Sequence, residues 1–180
     1  MLLLSALAVG GDPDYAQVEK GRQLEFPRDH GSHPEFRTEW WYVTGWLEDA
    51  QGRPLGFQVT FFRSRPGIGG ENPSRFAPRQ LIVAHVALAD PAKGRLAHEQ
   101  RIARAGFGLA QAAEGDTDVR IDDWRFQREA GRYLARIPGR ELSLDLVLDI
   151  IQPPLLQGEA GFSRKGPDPR SASHYYSVPQ

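Results

Sequence analysis

Hydrophobic and polar positions alternate along much of this chain with a period of two. In ELSLDLVLDI (141–150), Leu142, Leu144, Leu146, Leu148 and Ile150 fall on one side, while Ser143, Asp145 and Asp149 fall on the other. Successive side chains of an extended backbone point to opposite faces, so this pattern predicts a half-buried strand. EWWYVTGWLED (39–49) and PLGFQVTFFRS (54–64) are predicted strands rich in aromatic and β-branched residues. DAQGR (49–53) joins them as a hairpin turn, with Gly52 where a positive φ is needed. LIVAHVALAD (81–90), the turn PAKG (91–94) and RLAHEQRIAR (95–104) follow. Then come TDVRIDDWRFQRE (117–129), RYLARIPG (132–139) and SASHYYSVP (171–179).

The segment 98–113 has a helix-forming composition, but Gly106 and Gly108 oppose a helix, so it reads as strand followed by loop. Roughly eight or nine short strands, with turn signals about every 8–12 residues, predict an all-β antiparallel barrel or sandwich. A lipocalin-like (calycin) β-barrel is a good match in size. Two stretches read as long loops serving as lids or ligand contacts: 64–80, with three Pro and three Gly, and 151–173, with four Pro and three Gly, the second alternatively a crossover into another domain.

Composition narrows the function. The chain has 180 residues, 40% of them hydrophobic, which is enough for one sizeable domain. Its formal net charge of −1, without a basic run, gives no electrostatic reason to expect a nucleic-acid partner. With no cysteine, disulfides, thiolate catalysis and cysteine-ligated zinc are excluded. Eighteen aromatic residues are ample to line a pocket for a small hydrophobic ligand. The short apolar run at 2–9 ends in an Ala-Leu-Ala site, so 1–14 reads as the remnant of a secretory leader, and a periplasmic or secreted protein is expected.

Candidate chemistry concentrates in FPRDHGSHPEFRTEWWYVTGWL (26–47). Gly31 and Pro34 make 29–34 a loop before the strand. His30 and His33 lack a third ligand in recognisable spacing, so no metal is expected, and no other cofactor either. Asp29 and the two His can exchange protons near neutral pH at a barrel rim, or they can be hydrogen-bonded plugs. Along the strand, Trp40, Tyr42, Thr44 and Trp46 share one face, and Glu39, Trp41, Val43 and Leu47 the other. Both faces carry aromatics and are expected to be covered. The hairpin brings Arg63 or Arg65 across from Glu39, predicting a buried ion pair ahead of a poised acid or base. His85, beside the small Ala87 and Ala89, is expected to face a ligand cavity or to sit satisfied in the core. No phosphate loop, dinucleotide fingerprint or nucleophile elbow is present.

The motifs at 26–47, GFQVTFFR (56–63), RQLIVAHVALAD (79–90), LLQGEAGFSRKG (155–166) and ASHYYSVPQ (172–180) together resemble the carotenoid 1,2-hydratase family, most closely its AttH-like branch. The resemblance runs from about Tyr15 to Gln180. It implies two packed lipocalin-like barrels, of which 15–180 holds mainly the first and 151–180 leads toward the second. It also implies an apolar, isoprenoid or lipid-like substrate and either hydration of a carbon–carbon double bond or carriage of a lipid. Implied partners are a second barrel or a second copy of the chain, and components of an ABC exporter. Asp29, His30 and Glu39 are the candidates for proton handling. His33, Trp41, Tyr42, Phe57, Phe61, His85 and Tyr175 are the candidates for ligand contact.

Overall fold

A computed structural model of the chain describes residues 15–68 and 72–180. The stretch read as a leader remnant, 1–14, lies outside the described residues. Four long strands form a meander: β1 (Thr38–Glu48), β2 (Pro54–Ser64), β3 (Leu81–Asp90) and β4 (Arg95–Arg104), hydrogen-bonded in that order and antiparallel throughout. Gly52 closes the first hairpin at φ +74°, as its place in the turn requires. A second sheet follows in chain order: β5 (Ala110–Ala112), β6 (Asp118–Ile121), β7 (Trp124–Glu129), β8 (Arg132–Pro138) and β9 (Ser143–Asp149). The architecture is the expected all-β, lipocalin-like one. Strand follows loop after 104, with no helix.

One predicted strand divides into two. The run 117–129 folds into the β6–β7 hairpin, because Asp122 adopts φ +56° and Ile121 pairs directly with Trp124. Paired aspartates accept left-handed turn geometry more readily than most residues.

The inner faces of both sheets share one core. Phe57, Val59 and Phe61 of β2 and Ile82, Ala84 and Val86 of β3 join Val119, Ile121, Trp124 and Phe126 from the second sheet. At β9 and just before it, Leu142, Leu144 and Leu146 are buried beside exposed Ser143 and Asp145, the parity their alternation predicts. The first strand departs from expectation. Its Glu39, Trp41, Val43 and Leu47 side turns inward, but the opposite face is only partly covered, by Tyr175 against Trp40 and Tyr42: Tyr42 is 42% exposed and Trp46 73%. Alternation specifies two faces, not whether a neighbouring element covers the second.

Among the described residues, β1 and β9 are the outer strands of their sheets and do not pair with each other. The barrel therefore has an open seam. Residues 151–180 fold back beside it through two small antiparallel pairs, β10 (Leu155–Leu156) with β13 (Tyr176–Ser177) and β11 (Phe162–Arg164) with β12 (Ala172–His174).

Candidate functional site

The loop ahead of β1 begins with a 3-10 turn, Arg28–His30, and is fastened to the second sheet. The Ser32 N–H donates to the Ala113 carbonyl at 2.7 Å, and the Thr117 hydroxyl donates to the His30 carbonyl at 2.9 Å. Gly31 is required by close approach: a Cβ there would stand 2.4 Å from the Gly115 nitrogen.

This loop and β1 bring two carboxylates to one imidazole. His33 Nε2 lies 2.7 Å from Asp29 Oδ1, and its Nδ1 lies 2.7 Å from Glu39 Oε1. Glu39 also receives the His33 backbone N–H and Arg63 Nε, the latter at 2.6 Å. Strand register explains that last contact, since Glu39 and Arg63 are direct cross-strand partners on the inward face. Arg63 is completed by Gln80 Oε1 and the Phe36 carbonyl, each at 2.7 Å. Asp29 is held by the Glu25 N–H at 2.6 Å and by Arg22 and Arg28. Burial alone would raise the Asp29 pKa; the Glu25 N–H, His33 and Arg22 outweigh it and hold the carboxyl below its usual range. The hydrogen bond to Glu39, joined by that to Asp29, holds His33 above the usual histidine range against the opposing effect of burial. Each ring nitrogen thus faces a carboxylate, so His33 bridges Asp29 and Glu39 and its protonated form is favoured.

His30 is the opposite case. It is buried, and burial followed by the charge of Arg128 pushes it down to about 4. Its neutral ring contacts the Tyr176 hydroxyl at 2.9 Å, and that hydroxyl donates to the Asp29 carbonyl. The two histidines impose opposite pH limits on the fold. His33, raised when folded, stabilises fully below 6.5, and its contribution is lost as pH rises through the elevated value. His30, lowered when folded, costs stability as pH falls from 6.5 toward about 4. The denaturant midpoint is therefore expected to peak near pH 6.5 and to decline on both sides. His33→Gln should flatten the alkaline side alone; an unchanged alkaline slope in that variant would disprove the assignment.

Beside this network lies a cavity of about 1220 Å³ along the open seam. Trp41, Val43, Leu47, Phe57, Phe126 and Leu148 give it apolar walls. Tyr42, Tyr175 and Lys165 lie on the same cavity. Of the residues singled out from sequence, Asp29, His33, Glu39, Trp41, Tyr42, Phe57 and Tyr175 all line it. His30, Phe61 and His85 do not. His30 is sealed beneath the loop, and Phe61 is wholly buried between the sheets, too deep to touch a ligand. His85 stands exposed on the outer face of the first sheet against Phe62, because its parity with buried Ala84 and Val86 turns it away from the interior. The alternation of Tyr175 and Tyr176 pointed to one of them, and both line the cavity; Phe126 and Lys165 were missed, because no local period marks a residue that reaches the cavity from the second sheet or from a loop of the returning segment. No cluster of three metal-ligating side chains occurs among the described residues.

Residues 17–180 match the protein-family model described as AttH-like. A crystal structure from Nitrosomonas europaea, provisionally named AttH, is 57% identical to this chain and superposes with a TM-score of 0.81, covering 91% of this chain and 49% of its own. The chain thus spans about half the length of that relative. No match is found among curated proteins.

Proposed function

Because the chain belongs to the AttH-like family, we propose that it forms the ligand-holding half of a protein that binds an apolar, lipid-like molecule in the seam between β1 and β9. The observation that carries this reading is the aromatic and aliphatic cavity of about 1220 Å³, above the usual range of about 300–1,000 Å³ for small-molecule pockets and roomy enough for a long chain. Binding is favoured over catalysis by the state of the polar groups beside it. Protonation of a double bond needs an acid free to approach the ligand. Asp29, His33 and Glu39 are instead committed to one another and to Arg22, Arg28 and Arg63. On this reading, hydratase-type chemistry would draw its acid from the other half of a protein the length of the Nitrosomonas europaea relative. The exposed face of β1 around Trp46 is then a surface for that half or for a second copy.

Two measurements test the proposal. Native mass spectrometry of the purified protein should reveal a co-purified apolar molecule, and a fluorescent polyene fatty acid should brighten on binding. Val43→Trp, which fills the cavity wall, is expected to weaken polyene binding by about tenfold or more. A clean apo mass together with no polyene signal would exclude the carrier reading.

A further inference from the structure

The charged side chains around the cavity are not all paired. Four carboxylates line it, and each has a cationic partner: Asp29 meets Arg22, Glu39 meets Arg63, Asp149 meets Arg132, and Asp168 meets Arg170. Two lining cations, Arg37 and Lys165, have no carboxylate partner among the described residues and face only aromatic rings. Lys165 is the better placed. Its Nζ lies 4.5 Å from the ring centre of Tyr175 and 6.0 Å from that of Trp40. Its backbone is fixed at the base of a short hairpin, where the Lys165 N–H donates to the Ser171 carbonyl at 2.6 Å.

The hydroxyls of Tyr42 and Tyr175 are hydrogen-bonded to each other on the same cavity. Two hydroxyls carry two hydrogens, and the bond between them uses one. The second has no acceptor among the described residues. The bond to Tyr175, with burial, pushes the Tyr42 pKa up to about 12, so the Tyr42 hydroxyl stays protonated at neutral pH. A cation and a hydroxyl pair therefore lie on the same cavity as the apolar walls of Trp41, Val43, Leu47 and Phe57.

We infer that the ligand is an anionic amphiphile, a long apolar chain ending in a carboxylate, whose head group is received by Lys165 and the Tyr42–Tyr175 pair. The inference rests on the carrier reading and adds the chemistry of the head. A carboxylate offers lone pairs to both donors, and charge-assisted hydrogen bonds are about twice as strong as neutral ones. A neutral ester or alcohol of the same chain would leave the ammonium without a counter-charge.

The test compares three probes on the purified chain: a polyene fatty acid, its methyl ester and acetate. The acid is expected to bind about tenfold or more tightly than the ester, and the preference should shrink with added salt. Lys165→Met, at an exposed position, should erase the preference, so that acid and ester bind the variant equally. Tyr175→Phe should reduce it. Equal binding of acid and ester by the unaltered protein would overturn the head-group inference and leave the carrier reading standing. An acid preference that survives Lys165→Met would overturn it too, as would acetate displacing the fatty acid, which would mark a site for small anions. Binding of neither polyene probe would overturn both.

Discussion

Arg63→Met is expected to cost about 3–5 kcal/mol of folding stability, read as a fall in the denaturant midpoint. The Arg63 side chain is 2% exposed and that of its partner Glu39 15%. Taking two ions out of water is costly, and here the cost is met only because each has its hydrogen bonds filled. Removing the guanidinium leaves the Glu39 carboxylate with only His33 as a counter-charge. It also strands Gln80 Oε1 and the Phe36 carbonyl, both held by the same group. Arg63→Lys should lose less but remain destabilising, because one ammonium cannot reproduce three planar donor directions. The double variant Glu39→Gln/Arg63→Met should be less damaged than the sum of the two single changes, since the unpaired charge is gone. A single-variant loss below about 1 kcal/mol, the range of exposed ion pairs, would mean that the network is solvated and does not anchor the barrel mouth.

Trp124→Ala is expected to cost a similar amount, about 3–5 kcal/mol, at the other end of the core. Trp124 is fully buried, its indole N–H donates to the Pro138 carbonyl at 3.1 Å, and the Arg101 guanidinium covers the ring at 4.4 Å. Truncation removes apolar contacts, opens a void in the core between the two sheets and loses the indole hydrogen bond to Pro138. Trp124→Phe keeps most of the contacts and should lose clearly less. The check is equilibrium denaturation of both variants. Equal losses would show that the indole hydrogen bond, not packing volume, dominates at this position.

Much of the fold was legible in the sequence. Strand positions followed from alternation, and so did the shared face of Glu39, Trp41 and Val43 on β1 and the buried face of the leucines at 142–146, but aromatics on both sides of β1 left its inward face undecided. The Glu39–Arg63 pair was half-readable: hairpin arithmetic narrowed the partner to Arg63 or Arg65, and register selected Arg63. Turn chemistry announced Gly52 but was underweighted at Asp122–Asp123, where one expected strand became two. Most of the singled-out residues face the cavity, within the 26–47 motif and beyond it at Phe57 and Tyr175. His30, Phe61 and His85 do not: His30 and Phe61 are buried away from it, and His85 stands on the outer face.

The sequence by itself determined the all-β class, the hairpin order and which side chains of a strand share a face, because these depend on the two-residue repeat of extended backbone and on turns a few residues long. The tertiary structure alone decided that His33 bridges Asp29 and Glu39, that β1 and β9 leave an open seam, and that Lys165 comes to rest on the ring of Tyr175. These depend on how far each sheet curls and where the C-terminal segment returns, which are set by packing between residues far apart in the chain. No local period encodes that distance.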